Sequence, residues 1–238
     1  MHSLLQYSWL TLFWVLNLTK IQAQGSDTTS LTVQKKEAYL QSVTASPFKR
    51  VVNMNQIIPS LQMDLRYASK NNFTGKRMYP SNLSTCYLRE EAANALKAVS
   101  DSLLKRGFYL KIFDAYRPYA VTVRFWNLIR DERYVANPAL GSGHNRGIAV
   151  DLTLVDKTTG KEIDMGTGFD NFSTAAHHSS TAHQSAVLEN RKILKETMEY
   201  FGFRSLETEW WHYSLPNPKR YEVLNLSFKE LKAITATD

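Results

Sequence analysis

The chain has 238 residues, of which 43% are hydrophobic and 21% charged, an ordinary composition for a globular protein. This composition excludes extensive disorder and is sufficient for one well-filled domain. The formal net charge of +7 comes from scattered basic residues, without a basic helix or an aromatic RNA-binding motif. The charge therefore argues against nucleic acid as a partner and favours a mild attraction to anionic surfaces.

The N-terminal segment carries an apolar run over residues 4–18, followed by polar residues and the small Ala23. This pattern predicts a secretory signal over residues 1–23, and therefore an exported protein, periplasmic or secreted. An uncleaved anchor is the alternative, because the positive region before the run is weak. The run is shorter than the roughly 20 residues of a spanning helix. We therefore expect no stable membrane span after removal of the signal.

Residues 24–47 are polar and lack a clear period, which predicts a linker or a loosely packed arm before a domain over residues 48–238. Cys86 is the only cysteine, so the chain cannot form an internal disulfide and its stability must come from a core. The segments VVNMNQII and LQMDLRYAS are predicted to be extended.

Three helices are predicted further along the chain from apolar residues at helical spacing. They lie in LREEAANALKAVSDSLLKRG, with Ser84 or Thr85 as the cap, in YAVTVRFWNLIRDE and in SAVLENRKILKETMEYFG. FYLKIFDAY and EWWHYSL are predicted strands, and VDKTTGKEID predicts a hairpin around Gly160 that returns a second strand. Together these elements predict a single α+β domain, an antiparallel sheet with helices packed on it.

The stretch SGHNRGIAVDLTL places Asp151 within an apolar strand. A buried carboxylate is costly unless a cation compensates it, so a positive partner is expected nearby, with Arg146 or Arg117 as simple candidates. His144 and His212 also lie next to predicted strands. Two imidazoles and one carboxylate are the kind of ligand set that a catalytic zinc ion uses. Gly147 would allow the bend that brings His144 and Asp151 to one side.

Glu209 precedes His212 by three residues in EWWH, and a turn or bulge would aim both side chains at one centre. A carboxylate beside a zinc-activated water can act as general base. Each residue also has an ordinary structural interpretation, and His212 alone would more often be a satisfied core histidine. The combination of four such residues is what favours a metal site.

SGHNRGIAVDLTL and ETEWWHYSL, with MDLRYASKNNFTG, FDAYRP and MGTGFD, resemble the VanX-type D-alanyl-D-alanine dipeptidases. The resemblance covers about residues 50–215. These zinc enzymes are related to D-Ala-D-Ala carboxypeptidases and to the hedgehog zinc domain, so the resemblance implies a hedgehog/DD-peptidase-like fold and one Zn²⁺ per chain. It implies a small dipeptide substrate, and says nothing about oligomeric state.

By this resemblance the residues of the site receive roles. His144, Asp151 and His212 correspond to the zinc ligands, Glu209 to the catalytic base, Arg117 to the transition-state arginine, Asp170 to the group that receives the substrate ammonium, and Ser142 to a residue near the substrate carboxylate. The alternative for Arg117 is a structural salt bridge with Asp114 or Asp151.

Two alternatives to a dipeptidase are open from the sequence. One is a D,D-carboxypeptidase or endopeptidase acting on peptidoglycan stem peptides, and the other is a non-catalytic zinc-binding module. The export signal departs from the glycopeptide-resistance members, which act inside the cell. It indicates instead a role in peptidoglycan recycling or nutrient salvage.

Overall fold

A five-stranded sheet organises the part of the chain that the computed structural model describes, residues 31–236. The strands in this range are β1 (Val33–Gln34), β2 (Val51–Asn53), β3 (Gln62–Met63), β4 (Tyr87–Arg89), β5 (Phe108–Asp114), β6 (Ala149–Asp156), β7 (Arg204–Leu206), β8 (Glu209–Ser214) and β9 (Val223–Leu224). The α-helices are α1 (Lys36–Ala45), α2 (Met54–Ile57), α3 (Glu90–Lys105), α4 (Tyr119–Ile129), α5 (Gly143–Arg146), α6 (Ser185–Tyr200) and α7 (Phe228–Thr235).

The strand order of the main sheet is β3-β5-β6-β8-β7. All neighbours are antiparallel except the edge strand β3, which runs parallel to β5. Two small sheets pair β1 with β9 and β2 with β4. The α+β class is confirmed, with the correction that one edge pairing is parallel.

The main core lies between the sheet and helices α3 and α6. α3 contributes a fully buried stripe, Ala92, Leu96, Val99 and Leu103, which meets the apolar residues of β5 and β6. Burial of each large aliphatic side chain stabilises the fold by about 1.5–3 kcal/mol. β6 is the central strand and is buried from Ala149 to Val155, so any charge placed on it needs a partner.

The helix predictions hold at α3, α4 and α6, but the cap predicted for α3 is wrong. The residue preceding α3 is Arg89 at the end of β4, and Ser84 and Thr85 lie upstream of that strand. The backbone leaves a strand directly into the helix, so no polar capping residue marks the start.

Residues 31–47 are not a linker or loose arm, because they form β1 and α1 on the domain. Tyr39 of α1 is only 1% exposed, and its hydroxyl accepts a hydrogen bond from the Val51 amide at 2.8 Å. Arg89, itself fully buried, lies with its guanidinium carbon 5.7 Å from the centre of the Tyr39 ring. α1 is polar over most of its surface, so its sequence shows no strong apolar period.

The predicted extended segments are also interrupted. Only Val51–Asn53 of the first is a strand, because the Asn53 side chain accepts the Asn55 amide and starts the short helix α2. In the second, Arg66–Ala68 forms a 3-10 turn. The predicted hairpin makes its turn at Gly160, but its return is a single bridge between Val155 and Glu162 rather than a strand.

The predicted signal, residues 1–23, lies outside the described residues. Among the helices of residues 31–236, none has the length and apolar character needed to cross a membrane.

Gly147 connects α5 to β6 in the left-handed conformation, with φ of 71°. A Cβ atom there would lie 3.3 Å from the backbone nitrogen of Arg89, and that amide donates to the Gly147 carbonyl at 2.7 Å. The bend expected at this glycine is present. His144, however, lies on the short helix α5 and not on a continuation of the strand.

We expect Gly147→Ala to lower the free energy of unfolding by about 1–3 kcal/mol, because the left-handed backbone and the contact with Arg89 both oppose a side chain. Urea denaturation measures this. Gly160→Ala is a matched control, since Gly160 has a similar φ of 68° but open space around its Cα. An equal loss in the two variants would contradict the role of the Arg89 contact.

Candidate metal centre and active site

Three neighbouring strands place Asp114, Asp151 and His212 in one row across the sheet. Asp151 of β6 pairs in register with Asp114 of β5 on one side and with His212 of β8 on the other. A register shift between Ile112 and Asp114 brings the β5 carboxylate into this row. The two acids are 0% and 3% exposed, so both negative charges lie in the protein interior.

His144 approaches the row from α5. Its Nε2 lies 3.3 Å from His212 Nδ1 and 3.4 Å from Asp151 Oδ2, and His212 Nδ1 lies 2.9 Å from Asp151 Oδ1. One atom from each of the three side chains falls within 4.8 Å of the others, a cluster that can hold a metal ion.

The spacing fits zinc. Ligand atoms about 2.0–2.2 Å from a tetrahedral zinc ion are about 3.3–3.6 Å apart. The two separations from His144 Nε2, 3.3 and 3.4 Å, have this length, while the shorter His212–Asp151 distance is that of a hydrogen bond.

A backbone carbonyl fixes which ring nitrogen of His144 carries a proton. Its Nδ1 lies 2.7 Å from the carbonyl oxygen of Ala115. A carbonyl only accepts, so Nδ1 donates, and Nε2 is the ring nitrogen that faces Asp151 and can offer a lone pair to a metal ion. Two electron pairs that converge in this way are stabilised by a cation between them.

Asp151 and His212 each shift the pKa of the other. Burial alone would raise the pKa of Asp151, but the adjacent imidazoles of His144 and His212 outweigh it and lower that pKa. Burial would likewise lower the pKa of His212, but its hydrogen bond with Asp151 raises it. Asp151 therefore stays ionised, as a metal ligand must. Its partners are imidazoles and not Arg146, whose guanidinium donates to the carbonyls of Tyr221 and Leu140.

Glu209 begins β8 and faces the same cavity as His144 and His212. The β7–β8 pairing shifts register between Ser205 and Leu206, and Leu206 pairs with Glu209. This irregularity lets side chains three residues apart on β8 line one cavity. Burial raises the pKa of Glu209 above its ordinary value, a direction that suits a general base near neutral pH.

Arg117 lines the cavity and is 8% exposed. Its Nε and one terminal nitrogen donate to Asp114 Oδ2 at 3.1 and 2.7 Å. The Tyr79 hydroxyl donates to the other oxygen of Asp114 at 2.7 Å, and the Phe125 ring lies under the guanidinium. The structural salt bridge with Asp114 is therefore present, and it holds the guanidinium at the cavity wall.

Asp170 lines the same cavity and has a left-handed backbone, with φ of 60°. The Tyr67 hydroxyl donates to its carboxylate at 3.1 Å. Burial raises the pKa of Asp170 to about 8, with the negative charge of Asp151 adding to the effect. A carboxyl group in this environment is stabilised in its charged form by a cationic ligand.

Ser142 also lines the cavity, but its side chain has a local partner. Its hydroxyl accepts the Asn145 amide at 3.1 Å, and the Asn145 side chain accepts the Ser142 amide in return. This capping box starts α5 and so positions His144. The hydroxyl is therefore placed at the cavity by the same interaction that fixes the helix.

The cavity has a volume of about 590 Å³ and contains every residue assigned a site role from the sequence. Sequence reasoning missed Tyr67 and Tyr79, which hold Asp170 and Asp114. It also missed the Ala115 carbonyl that orients His144. A single tyrosine has no distinctive spacing, and the inclusion of Tyr67 in the motif MDLRYASKNNFTG was the one signal that pointed to it.

Three clustered side chains that can hold a metal ion, with a carboxylate and an arginine lining the same cavity of an α+β fold, are typical of a metallopeptidase site. A family model described as D-ala-D-ala dipeptidase matches residues 48–231. The chain belongs to this family, and the resemblance seen in the sequence is confirmed.

Named relatives agree with the family match. The D-alanyl-D-alanine dipeptidase of Escherichia coli (strain K12) is 38% identical over 73% of this chain and 89% of that protein. The protein of the same name from Enterococcus faecalis (strain ATCC 700802 / V583) is 31% identical over 71% and 94%. The solved LdcB LD-carboxypeptidase aligns at 22% identity and a TM-score of 0.36, over 64% of this chain and 65% of that one. That score is too low to support a conclusion.

We expect Asp151→Asn to lose most of its zinc on dialysis, because the substitution removes the only negative charge among the three clustered side chains. Metal analysis of the dialysed protein measures this. Asp156→Asn, at the end of the same strand, is the control and should keep the wild-type zinc content. Full retention of zinc by Asp151→Asn would exclude Asp151 as a ligand.

Proposed function

We propose that this protein hydrolyses D-Ala-D-Ala to two D-alanines, with one zinc ion held by His144, Asp151 and His212. The observation that carries the proposal is the convergence of these three side chains within 4.8 Å, in a cavity that Glu209 and Arg117 also line. The family description and the names of the relatives give the substrate.

Glu209 is the proposed base. When bound, zinc supplies Lewis acidity that polarises a carbonyl and lowers the pKa of water to roughly 7. Glu209 takes a proton from the attacking water and passes it to the nitrogen of the leaving D-alanine, so the C–N bond breaks with a neutral amine as product. Its raised pKa brings the carboxylate closer to the range in which it can both accept and return a proton.

Arg117 is proposed to stabilise the negative charge that develops on the carbonyl oxygen. Asp114 and the aromatic rings around the guanidinium restrict its movement, so little reorganisation is needed during the reaction. The pKa of Arg117 is raised because the attraction of Asp114 outweighs the effect of burial, so the group stays charged.

A dipeptidase must recognise both termini of its substrate. We assign the ammonium to Asp170, whose buried carboxyl group gains from a positive ligand. Ser142 lies in the same cavity and is assigned to the carboxylate side. Asp170 favours a free dipeptide over the carboxypeptidase and endopeptidase alternatives, because those substrates have no ammonium there. Glu209 and Arg117 favour an enzyme over a non-catalytic zinc module.

The apolar pattern of residues 4–18 supports export to the periplasm or beyond. In that compartment the enzyme would meet D-Ala-D-Ala released by peptidoglycan turnover. We therefore propose recycling or salvage as its role, rather than glycopeptide resistance.

We expect Glu209→Gln to keep its zinc and to lower kcat by about 10²–10⁴-fold, because glutamine cannot accept the proton. Release of D-alanine, measured beside zinc content, checks this. Glu207→Gln is the matched control, since Glu207 lies outside the cavity and its contact with the Ser179 amide survives the change. Activity of Glu209→Gln near the wild-type value would reject Glu209 as the base.

We also expect N-acetyl-D-Ala-D-Ala to be cleaved about 30-fold or more less efficiently than the free dipeptide, because acetylation removes the charge that Asp170 meets. Comparison of kcat/KM for the two substrates tests this. Asp170→Asn should reduce the difference in kcat/KM between the two substrates. Asparagine is a suitable replacement because it tolerates the left-handed backbone at this position. Efficient cleavage of the acetylated substrate by the wild-type enzyme would favour the carboxypeptidase alternative.

A further inference from the structure

The cavity is larger than D-Ala-D-Ala requires. Its volume of about 590 Å³ lies in the range of about 300–1,000 Å³ that encloses drug-sized ligands. The proposed substrate carries only two methyl side chains. Space and apolar surface therefore remain around the bound dipeptide. The position of this apolar surface indicates which of the two substrate side chains can be larger.

Five aromatic side chains form one side of the cavity: Tyr67, Phe73, Phe125, Tyr134 and Phe172. We call this set the aromatic wall. Each ring contacts the next. The ring centroids are 6.1 Å apart for Tyr67–Phe73, 5.4 Å for Phe73–Phe172 and 4.7 Å for Phe172–Tyr134. The aromatic wall is therefore continuous from Tyr67, which donates to Asp170, to Phe172 and Tyr134.

The aromatic wall adjoins the proposed ammonium site. Tyr67 donates its hydroxyl to Asp170, and Phe172 follows Asp170 by two residues along the chain. Phe172 and Tyr134 are only partly buried, and Leu206 at the same cavity is 41% exposed. These side chains present apolar surface to the cavity.

The covalent structure of a dipeptide then decides which side chain meets the wall. The Cα of the first residue is bonded to the ammonium nitrogen, so an ammonium held at Asp170 places the first side chain beside that carboxylate. The second residue lies beyond the scissile bond, on the side assigned to Ser142. The contact of Tyr67 with Asp170 thus places the aromatic wall beside the first residue.

From this arrangement we infer that the enzyme accepts dipeptides with a large apolar first residue, such as D-Leu-D-Ala, and that Phe172 and Tyr134 determine this specificity. The inference rests on the proposed function, and specifically on the placement of the ammonium at Asp170. One methylene placed in an apolar pocket changes kcat/KM by about 10–200-fold, so an aromatic wall suffices to offset the cost of a larger side chain.

The experiment compares kcat/KM of the zinc-loaded enzyme for D-Leu-D-Ala, D-Ala-D-Leu and D-Ala-D-Ala. We expect D-Leu-D-Ala to be cleaved at least as efficiently as D-Ala-D-Ala. Phe172→Ala should lower the D-Leu-D-Ala to D-Ala-D-Ala ratio by about tenfold or more, and leave the D-Ala-D-Leu to D-Ala-D-Ala ratio unchanged. Tyr134→Ala should act in the same direction and serves if Phe172→Ala fails to fold.

Phe48→Ala is the matched control, because Phe48 is a 42% exposed phenylalanine outside the cavity. Its ratios should equal those of the wild type. A kcat/KM for D-Leu-D-Ala more than about tenfold below that for D-Ala-D-Ala would overturn this inference but not the proposed function. The same conclusion would follow if neither Phe172→Ala nor Tyr134→Ala changed the D-Leu-D-Ala to D-Ala-D-Ala ratio. No turnover of any of the three dipeptides would overturn the proposed function, and the inference with it.

Discussion

The site depends on the burial of two acids, Asp114 and Asp151, side by side on neighbouring strands. Buried carboxylates without partners would destabilise the fold strongly, and their mutual repulsion adds to that cost. Asp114 is compensated by Arg117 and Tyr79. Asp151 has the imidazoles of His144 and His212 beside it, and a cation held by these three side chains would stabilise its charge further. The arrangement therefore explains both a fixed guanidinium and a preference for a cation at the adjacent position.

The loop after β5 and the helix α5 are bonded to each other at three points. The Arg117 amide donates to the His144 carbonyl at 3.1 Å, the Asn145 side chain donates to the Arg117 carbonyl at 2.9 Å, and His144 Nδ1 donates to the Ala115 carbonyl. A proposed ligand and the proposed oxyanion-stabilising residue are thus held as one unit. Preorganisation of this kind limits the motion of reacting groups to a fraction of an ångström.

Sequence reasoning identified the parts of the fold that follow from local periodicity. The apolar stripes of α3 and α6 and the apolar run of β6 are examples. Asp151 could be recognised as a candidate site residue because it interrupts that apolar run. The packing of α1 was not visible, because one tyrosine and distant Arg89 hold it. The support of Asp170 by Tyr67 joins residues 103 positions apart, so no local pattern encodes it.

The pairing of β1 with β9 joins the two ends of the described chain, since Val33 lies in register with Val223. Closing so long a segment is slow, because its entropy is lost before the contact repays it. The domain cannot complete this small sheet until the chain has been synthesised through Leu224. The strand β1 therefore stays unpaired while the five-stranded sheet and its helices are being made.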